Sequence, residues 1–358
     1  TLRQPAVSKE SQFEVKVVVD WDDSRPMIPV GLSMATCGER ATDDAIERLC
    51  DVKPSHLRVD LRLDRDGWQS DLHETITLAS KLDSKLEIAT FSAEIGDATW
   101  FHCLQELDEV RDRIARWLVF HAAAKSTPDA MATAASVSLR EYSFSFPLVV
   151  GTDAYFAELN RNRPQVPGGC SVCYSINPQV HAFDNLSLCE TLQAHRWTVD
   201  SAVEYFGRPV VISPITLRPR FNPNATSISR DTKFAKPETD SRQSSGFAAA
   251  WTVGVLAQLA SHRSVESLTF FETFGPRGII GIGGVSYPVA FVVGALRDTR
   301  SVFGATSQSP LEVAAVAMEN ASRARKLLLA NMGTQQKTVC ANDRDGAELR
   351  WSLDAESL

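Results

Sequence analysis

Two hydrophobic rhythms alternate along most of this chain. Short apolar runs bounded by Pro or Gly predict strands covered on both faces: 29–36 (PVGLSMAT), 56–63 (HLRVDLRL), 86–93 (LEIATFSA), 118–124 (LVFHAAA), 147–151 (PLVVG), 170–176 (CSVCYSI), 209–217 (PVVISPITL) and 267–274 (SLTFFETF). Between them, stretches with helical spacing predict helices over 42–52, 68–82, 100–117, part of 128–142, 186–206, 246–261 and 288–299. Thr42 is an N-cap for the first of these, with Asp43 and Asp44 in its first turn. Eight strand–helix alternations in one series predict an α/β fold, a (β/α)8 TIM barrel.

The pattern changes toward the C-terminus. Residues 311–320, 325–332, 337–343 and 347–353 are short runs separated by turn signals, which predict a small antiparallel β-appendage. The alternating strand 13–21 (FEVKVVVDW) stands outside the barrel series and is expected to join that sheet. The expected organisation is a strand and linker over 1–25, the barrel over 26–303 and the β-appendage over 304–358, packed on the barrel because it is too small to hold a stable core alone.

Composition adds exclusions. A net charge of −7 argues against nucleic-acid binding, and no apolar run reaches the length of a bilayer span. Seven cysteines, odd in number and scattered, do not form a disulfide framework; buried thiols in a reducing cytoplasm are the expectation. Cys170 and Cys173 are the one close pair, without a second pair to complete a zinc site. The end of the first strand carries Ser33-Met34-Ala35-Thr36 in place of the His-x-His of metal-dependent amidohydrolases, so neither metal nor cofactor is expected. The sequons at Asn185, Asn224 and Asn320 are short enough to arise by chance.

Barrel enzymes carry their chemistry where strands end at the C-terminal rim. There the second strand offers Arg58 and Asp60, and the fifth is followed by Asp153, Glu158, Asn160, Arg161 and Arg163. The sixth is followed by Asn177, Gln179, His181 and Asp184, the seventh by Arg218 and Arg220, and the eighth delivers Glu272. Glu272 directly after SLTFF sits half in an apolar wall, an environment suited to proton transfer. Its alternative role is an ion pair with a rim arginine such as Arg277 that holds the loop. His181 and Asp184, three residues apart, match a base with its orienting carboxylate, while Asp184 alone matches a helix N-cap. The Arg-x-Arg pairs at 161/163 and 218/220 present planar forks for a carboxylate or an oxyanion, or for structural salt bridges.

The segments GTDAYFAELNRNRP, INPQVHAFDN, SPITLRPRFNPNAT and FFETFGPRGI resemble the D-apionate lactonase family, in which a barrel lies between two β-domains. The resemblance covers about 145 to 285 well. It implies a fragment or a shortened member, since most of the N-terminal β-domain is lacking. The barrel also resembles a large glycosidase clan in which Asn-Glu ends the fourth strand, where this chain has Ala122-Ala123-Ala124-Lys125. Three functions follow. The first is a metal-independent hydrolase of a small sugar-acid lactone, in which Glu272 or the His181–Asp184 pair activates water, Arg161 or Arg218 stabilises the oxyanion, and Asn160, Asn177 and Gln179 read the sugar hydroxyls. The second is a glycosidase with Glu272 as nucleophile and Asp153 or Glu158 as acid/base. The third is a sugar-binding barrel without catalysis. The partner in each case is a small sugar-acid lactone or carbohydrate, not nucleic acid or membrane.

Overall fold

The computed structural model describes residues 14–221, 238–342, 344 and 346–358. Eight parallel strands, β2 (Val30–Ser33), β3 (His56–Arg62), β4 (Lys85–Ser92), β5 (Ile114–His121), β6 (Leu148–Tyr155), β7 (Ser171–Ile176), β8 (Val210–Ile215) and β9 (Val265–Phe274), pair in chain order. β9 pairs with both β8 and β2 and so closes the TIM barrel. The connecting helices are α1 (Asp43–Val52), α2 (Trp68–Leu82), α3 (Ala98–Glu109), α4 (Asp129–Glu141), α5 (Phe156–Asn162), α6 (Asn185–Glu190), α7 (Leu192–Phe206), α8 (Gly246–Leu259) and α9 (Pro288–Ala295). A short strand β10 (Gly278–Ile280) adds to β9. No helix among the described residues is long and apolar enough to cross a membrane.

The strand alternation sorts the barrel into two environments. Leu57, Val59 and Leu61 join the large outer core beneath the helices, whereas their neighbours His56, Arg58 and Asp60 belong to the opposite strand face. Inside the barrel Ala89, Phe91, Leu118, Phe120, Val149, Cys173 and Val211 form a separate small apolar cluster. The remaining interior is polar. Glu87, fully buried, accepts from Arg116 Nη1 (2.7 Å), from Thr269 Oγ1 (2.9 Å) and from the Ser213 hydroxyl. Gly151 lets β6 approach β7: its φ is +148°, and a Cβ there would lie 2.2 Å from the Cys173 carbonyl oxygen.

Beyond the barrel, a six-stranded sheet has the order β13 (Arg325–Asn331), β12 (Val313–Asn320), β11 (Thr299–Ser307), β1 (Glu14–Pro26), β14 (Lys337–Asn342), β15 (Glu348–Leu353). The pairs are antiparallel except β1 with β14. Alternation along β12 serves two cores. Ala314, Val316 and Met318 face the barrel core, while Val313 and Ala315 join Val15, Val17, Leu329, Val339 and Leu353 in a core of the sheet's own. This explains α8, which is apolar all round because it lies between barrel and sheet. A Cβ on its Gly254 would meet Leu192 Cδ1 at 2.5 Å on one side and Met332 Sδ at 3.2 Å on the other.

Three expectations need correction. The helix expected over 100–117 ends at Glu109; Ile114–Trp117 are the start of β5, in register with β4 after a 3-10 turn at Arg111–Arg113. The strand at 147–151 continues to Tyr155, and the loop expected after it is the helix α5, stitched by an i,i+3 pair between Glu158 and Arg161 (2.6 Å). The outlying strand runs on to Pro26, and β11 over 299–307 belongs to the six-stranded sheet, which reaches further into the chain at both ends than the short runs suggested.

Candidate active site

A cavity of about 410 Å³ opens at the C-terminal rim between the ends of β2, β3, β8 and β9, and Glu272, Thr36, Asp60, Arg218 and Arg277 are among its lining residues. Glu272 reaches it through a β-bulge. The pairing of β9 with β2 steps from Phe270 to Glu272, leaving Phe271 out of register with a φ of +32°. A buried aromatic in the left-handed region is strained by roughly 1–3 kcal/mol. The bulge turns the Glu272 side chain, 7% exposed, into the cavity wall. There Thr36 N–H donates to Oε2 (3.2 Å), Thr36 Oγ1 donates to Oε1 (2.9 Å), and Arg277 forms an ion pair with Oε1. The Glu272–Arg277 pair expected as an alternative role is therefore present, alongside exposure to the cavity.

Arg58, Asp60 and Arg220 line the cavity and form an ion quartet with Asp153, which lies outside its lining. Arg58, 1% exposed, donates through Nε to Asp60 Oδ1 (2.8 Å), through Nη2 to Asp153 Oδ1 (2.6 Å) and through Nη1 to Ser213 Oγ (3.0 Å). Arg220 bridges the same two carboxylates, with Nη1 2.9 Å from Asp153 Oδ1 and Nη2 bound to Asp60. Burial alone would raise the pKa of Asp60, but Arg220 and Arg58 outweigh it and hold the carboxyl at about 2. Burial likewise opposes the charge on Arg58, yet Asp60 and Asp153 keep the guanidinium well above its ordinary value. These four side chains were expected as substrate or acid/base groups, with structural salt bridges as the alternative for Arg220; the structure shows that alternative, locking the four to one another and pinning the loop after β8 to β3 and β6.

Arg218, also in the cavity lining, lies with its Nη1 3.4 Å from Glu238 and its Nε 3.5 Å from Asp240, its guanidinium 5.3 Å from the centre of the Phe183 ring. Asp240 is itself held by Arg242 Nε and Nη2 (2.8 Å each) and by Gln179 Nε2 (2.6 Å). Burial would raise its pKa, but the hydrogen bonds from Arg242 and Gln179 prevail and lower it far below the carboxylate range. Gln179, buried, holds Asp240 and the Leu217 carbonyl from behind the wall and is not among the residues lining the cavity. Asn177 sits beside Asp153 and Thr216 in a separate small recess.

Other expected site residues lie away from the cavity. Asn160, Arg161 and Arg163 ride on or just after α5: Arg161 pairs with Glu158, while Arg163 binds Asn160 Oδ1 (2.9 Å) and stacks on Tyr205 at 4.2 Å. His181 and Asp184 are exposed, and no hydrogen bond joins them among the described residues. Asp184 caps α6, accepting from Ser187 N (3.0 Å) and Ser187 Oγ (2.7 Å), and those bonds lower its pKa. Asn222 and the Asn224 sequon fall outside the described residues. Conversely, Thr36, Asp240 and the interior Glu87 were not singled out from sequence. Glu87 could have been noticed as the one charge in LEIATFSA; Thr36 and Asp240 carry no local signal.

A family model for the D-apionate lactonase TIM barrel domain matches residues 30–301. The chain belongs to that family. Within the D-apionate lactonase family, a D-apionate lactonase of Brucella anthropi is 31% identical over 139 residues, a stretch covering 36% of this chain and only 22% of that protein. Among solved structures, the glucanase–xylanase CelM2 from a metagenome library superposes with a TM-score of 0.65 at 10% identity, over 96% of this chain and 97% of that one. A family 51 α-L-arabinofuranosidase from Bifidobacterium longum gives a TM-score of 0.62 at 10% identity, over 96% and 93%. At such identities these two establish a shared barrel-plus-sheet fold. Among the described residues no group of three or more His, Cys, Asp or Glu is arranged to hold a metal ion.

Proposed function

We propose that the protein hydrolyses a small sugar-acid lactone at the barrel rim, with Glu272 as the proton-transfer group. The observation that carries this reading is the strained bulge at Phe271, which sets a carboxylate into the wall of the rim cavity. Strain of this kind persists where the surrounding structure imposes it and concentrates at functional positions. A cavity of about 410 Å³ suits a single sugar-sized ring. In the first step a water gives a proton to Glu272 while its oxygen bonds the lactone carbonyl carbon, and the carbonyl electrons become an oxyanion facing Arg218. In the second the oxyanion collapses, the ring C–O bond breaks, and the proton returns from Glu272 to the departing oxygen, giving an open hydroxy acid. Arg161 and the His181–Asp184 pair have no part in these steps because they lie elsewhere.

The paired-carboxylate alternative is the weaker reading. Asp153 is engaged by Arg58 and Arg220, and Glu158 by Arg161 and Lys125. Support for a cytoplasmic setting comes from the seven cysteines, all unbridged. The barrel carries the chemistry in this reading, and the six-stranded sheet buttresses α8. The test is acid release from a panel of aldonolactones by purified protein, with and without chelator. Turnover of at least one lactone is expected, unaffected by chelator; hydrolysis of none removes the reading.

A further inference from the structure

We infer that Thr36 is the positioning residue for Glu272 and that it leaves Oε2 as the atom that takes the proton, an inference that rests on Glu272 being the proton-transfer group. A hydroxyl has one proton and two lone pairs, whereas a guanidinium can only donate. Arg277 Nη2 bonds both Thr36 Oγ1 and Glu272 Oε1. Thr36 Oγ1 must therefore accept from Arg277, and its single proton is directed to Glu272 Oε1 (2.9 Å). Oε1 then receives two donors. Among the described residues Oε2 receives one, the Thr36 backbone N–H at 3.2 Å, and keeps its other acceptor position. A carboxylate tied at both oxygens by one residue cannot rotate about its terminal bond, so the open position on Oε2 keeps a fixed direction. The geometry depends on β2 stopping at Ser33, which frees Met34–Thr36 to fold over the end of β9.

Thr36→Val keeps the backbone donor and the side-chain shape but deletes the hydroxyl; Thr36→Ser restores it. On a lactone turned over by the wild type, Thr36→Val is expected to lower kcat by about 10- to 100-fold, the value of a hydrogen bond to a charged group, with KM nearly unchanged. Thr36→Ser should recover most of that loss. Equal kcat in the Val variant and wild type, or a Ser variant as poor as Val, overturns the assignment. A second readout needs no turnover: in protein labelled with 15N-threonine, the Thr36 amide proton, bonded to a carboxylate, should resonate downfield and move upfield in Glu272→Gln. An unmoved Thr36 amide overturns the positioning contact. If no lactone is hydrolysed, the lactonase reading fails by itself and the amide resonance alone decides the role of Thr36.

Discussion

Glu272→Gln separates chemistry from loop anchoring at the residue on which the proposed function turns. The amide can keep its oxygen where Oε1 accepts from Thr36 Oγ1 and Arg277, but its nitrogen then faces the Thr36 N–H, donor against donor. The stability cost is one lost hydrogen bond plus a poorly solvated donor, about 1–3 kcal/mol, because the site is only 7% exposed and little screened by solvent. At roughly 2–4 °C per kcal/mol, that lowers Tm by about 2–12 °C and leaves the protein folded at assay temperature. Loss of a group that takes a proton in the transition state costs far more in rate, about 10²- to 10⁴-fold in kcat. Steady-state kinetics on a lactone found in the panel, beside a thermal melt, measure both. A fall of kcat with KM nearly constant is the signature of an interaction made only in the transition state. If Glu272 merely anchors the loop through Arg277, KM rises and kcat holds. Unchanged kcat in a folded Glu272→Gln protein would refute the mechanism and turn attention to other carboxylates that line the cavity, such as Asp71 and Glu74.

Three further outcomes are expected. Gly151→Ala should destabilise the barrel by about 3 kcal/mol or more, since the new Cβ meets the Cys173 carbonyl oxygen and backbone cannot yield as a side chain can; a change below about 1 kcal/mol in urea unfolding would contradict the packing of β6 on β7. His181→Ala and Asp184→Ala should leave kcat within about twofold of wild type, with a small drop in Tm for the lost α6 cap; a large loss of kcat in either would place that loop in the site after all. Stability should fall with acid in two windows. Burial holds His56 and His195 neutral down to about 4. The unfolded chain, with His near 6.5, therefore binds more protons below about pH 6.5, and stability declines from there toward pH 4. Asp60 and Glu87, held at about 2 by Arg220 and by His56 and Arg116 against the effect of burial, give a contribution that is whole above their unfolded values near 4 and is lost as pH falls toward 2. Equal urea midpoints at about pH 7 and about pH 4.5 would contradict the first window.

The barrel was legible in sequence because its outer layer is written locally. Leu57, Val59 and Leu61 must face the helices whatever lies elsewhere, so alternation and Pro/Gly punctuation suffice to find β3, and the same holds for the other strands. The helix boundary at Glu109 was not legible, because the stretch RDRIARW keeps a helix-compatible spacing of charges. Only pairing of Ile114 and Arg116 with Leu86 and Glu87 of β4 makes it a strand. The extra sheet was visible as short strands, but the apolar surface of α8 gains its meaning only when β12 and β13 are laid against it.

The site divides along the same line between local and non-local information. His181 and Asp184 attracted attention because spacing in the chain can be read directly, and the local reading that proved physical was the smaller one, a helix cap. Glu272 was reachable because a strand end is a local feature of a barrel. Thr36 was not, since it is 236 residues distant and meets Glu272 only because β9 closes the barrel against β2. The same closure brings Arg58 to Ser213 and Asp153, so that residues resembling free rim groups in sequence become a neutralised quartet. Charge on a barrel strand therefore points inward to a network before it points outward to a substrate. In this rim, Glu272 and Arg218 line the cavity as well as holding their partners among the described residues. That distinction follows from how much hydrogen-bonding capacity each side chain has left, which no pattern of residue types along the chain encodes.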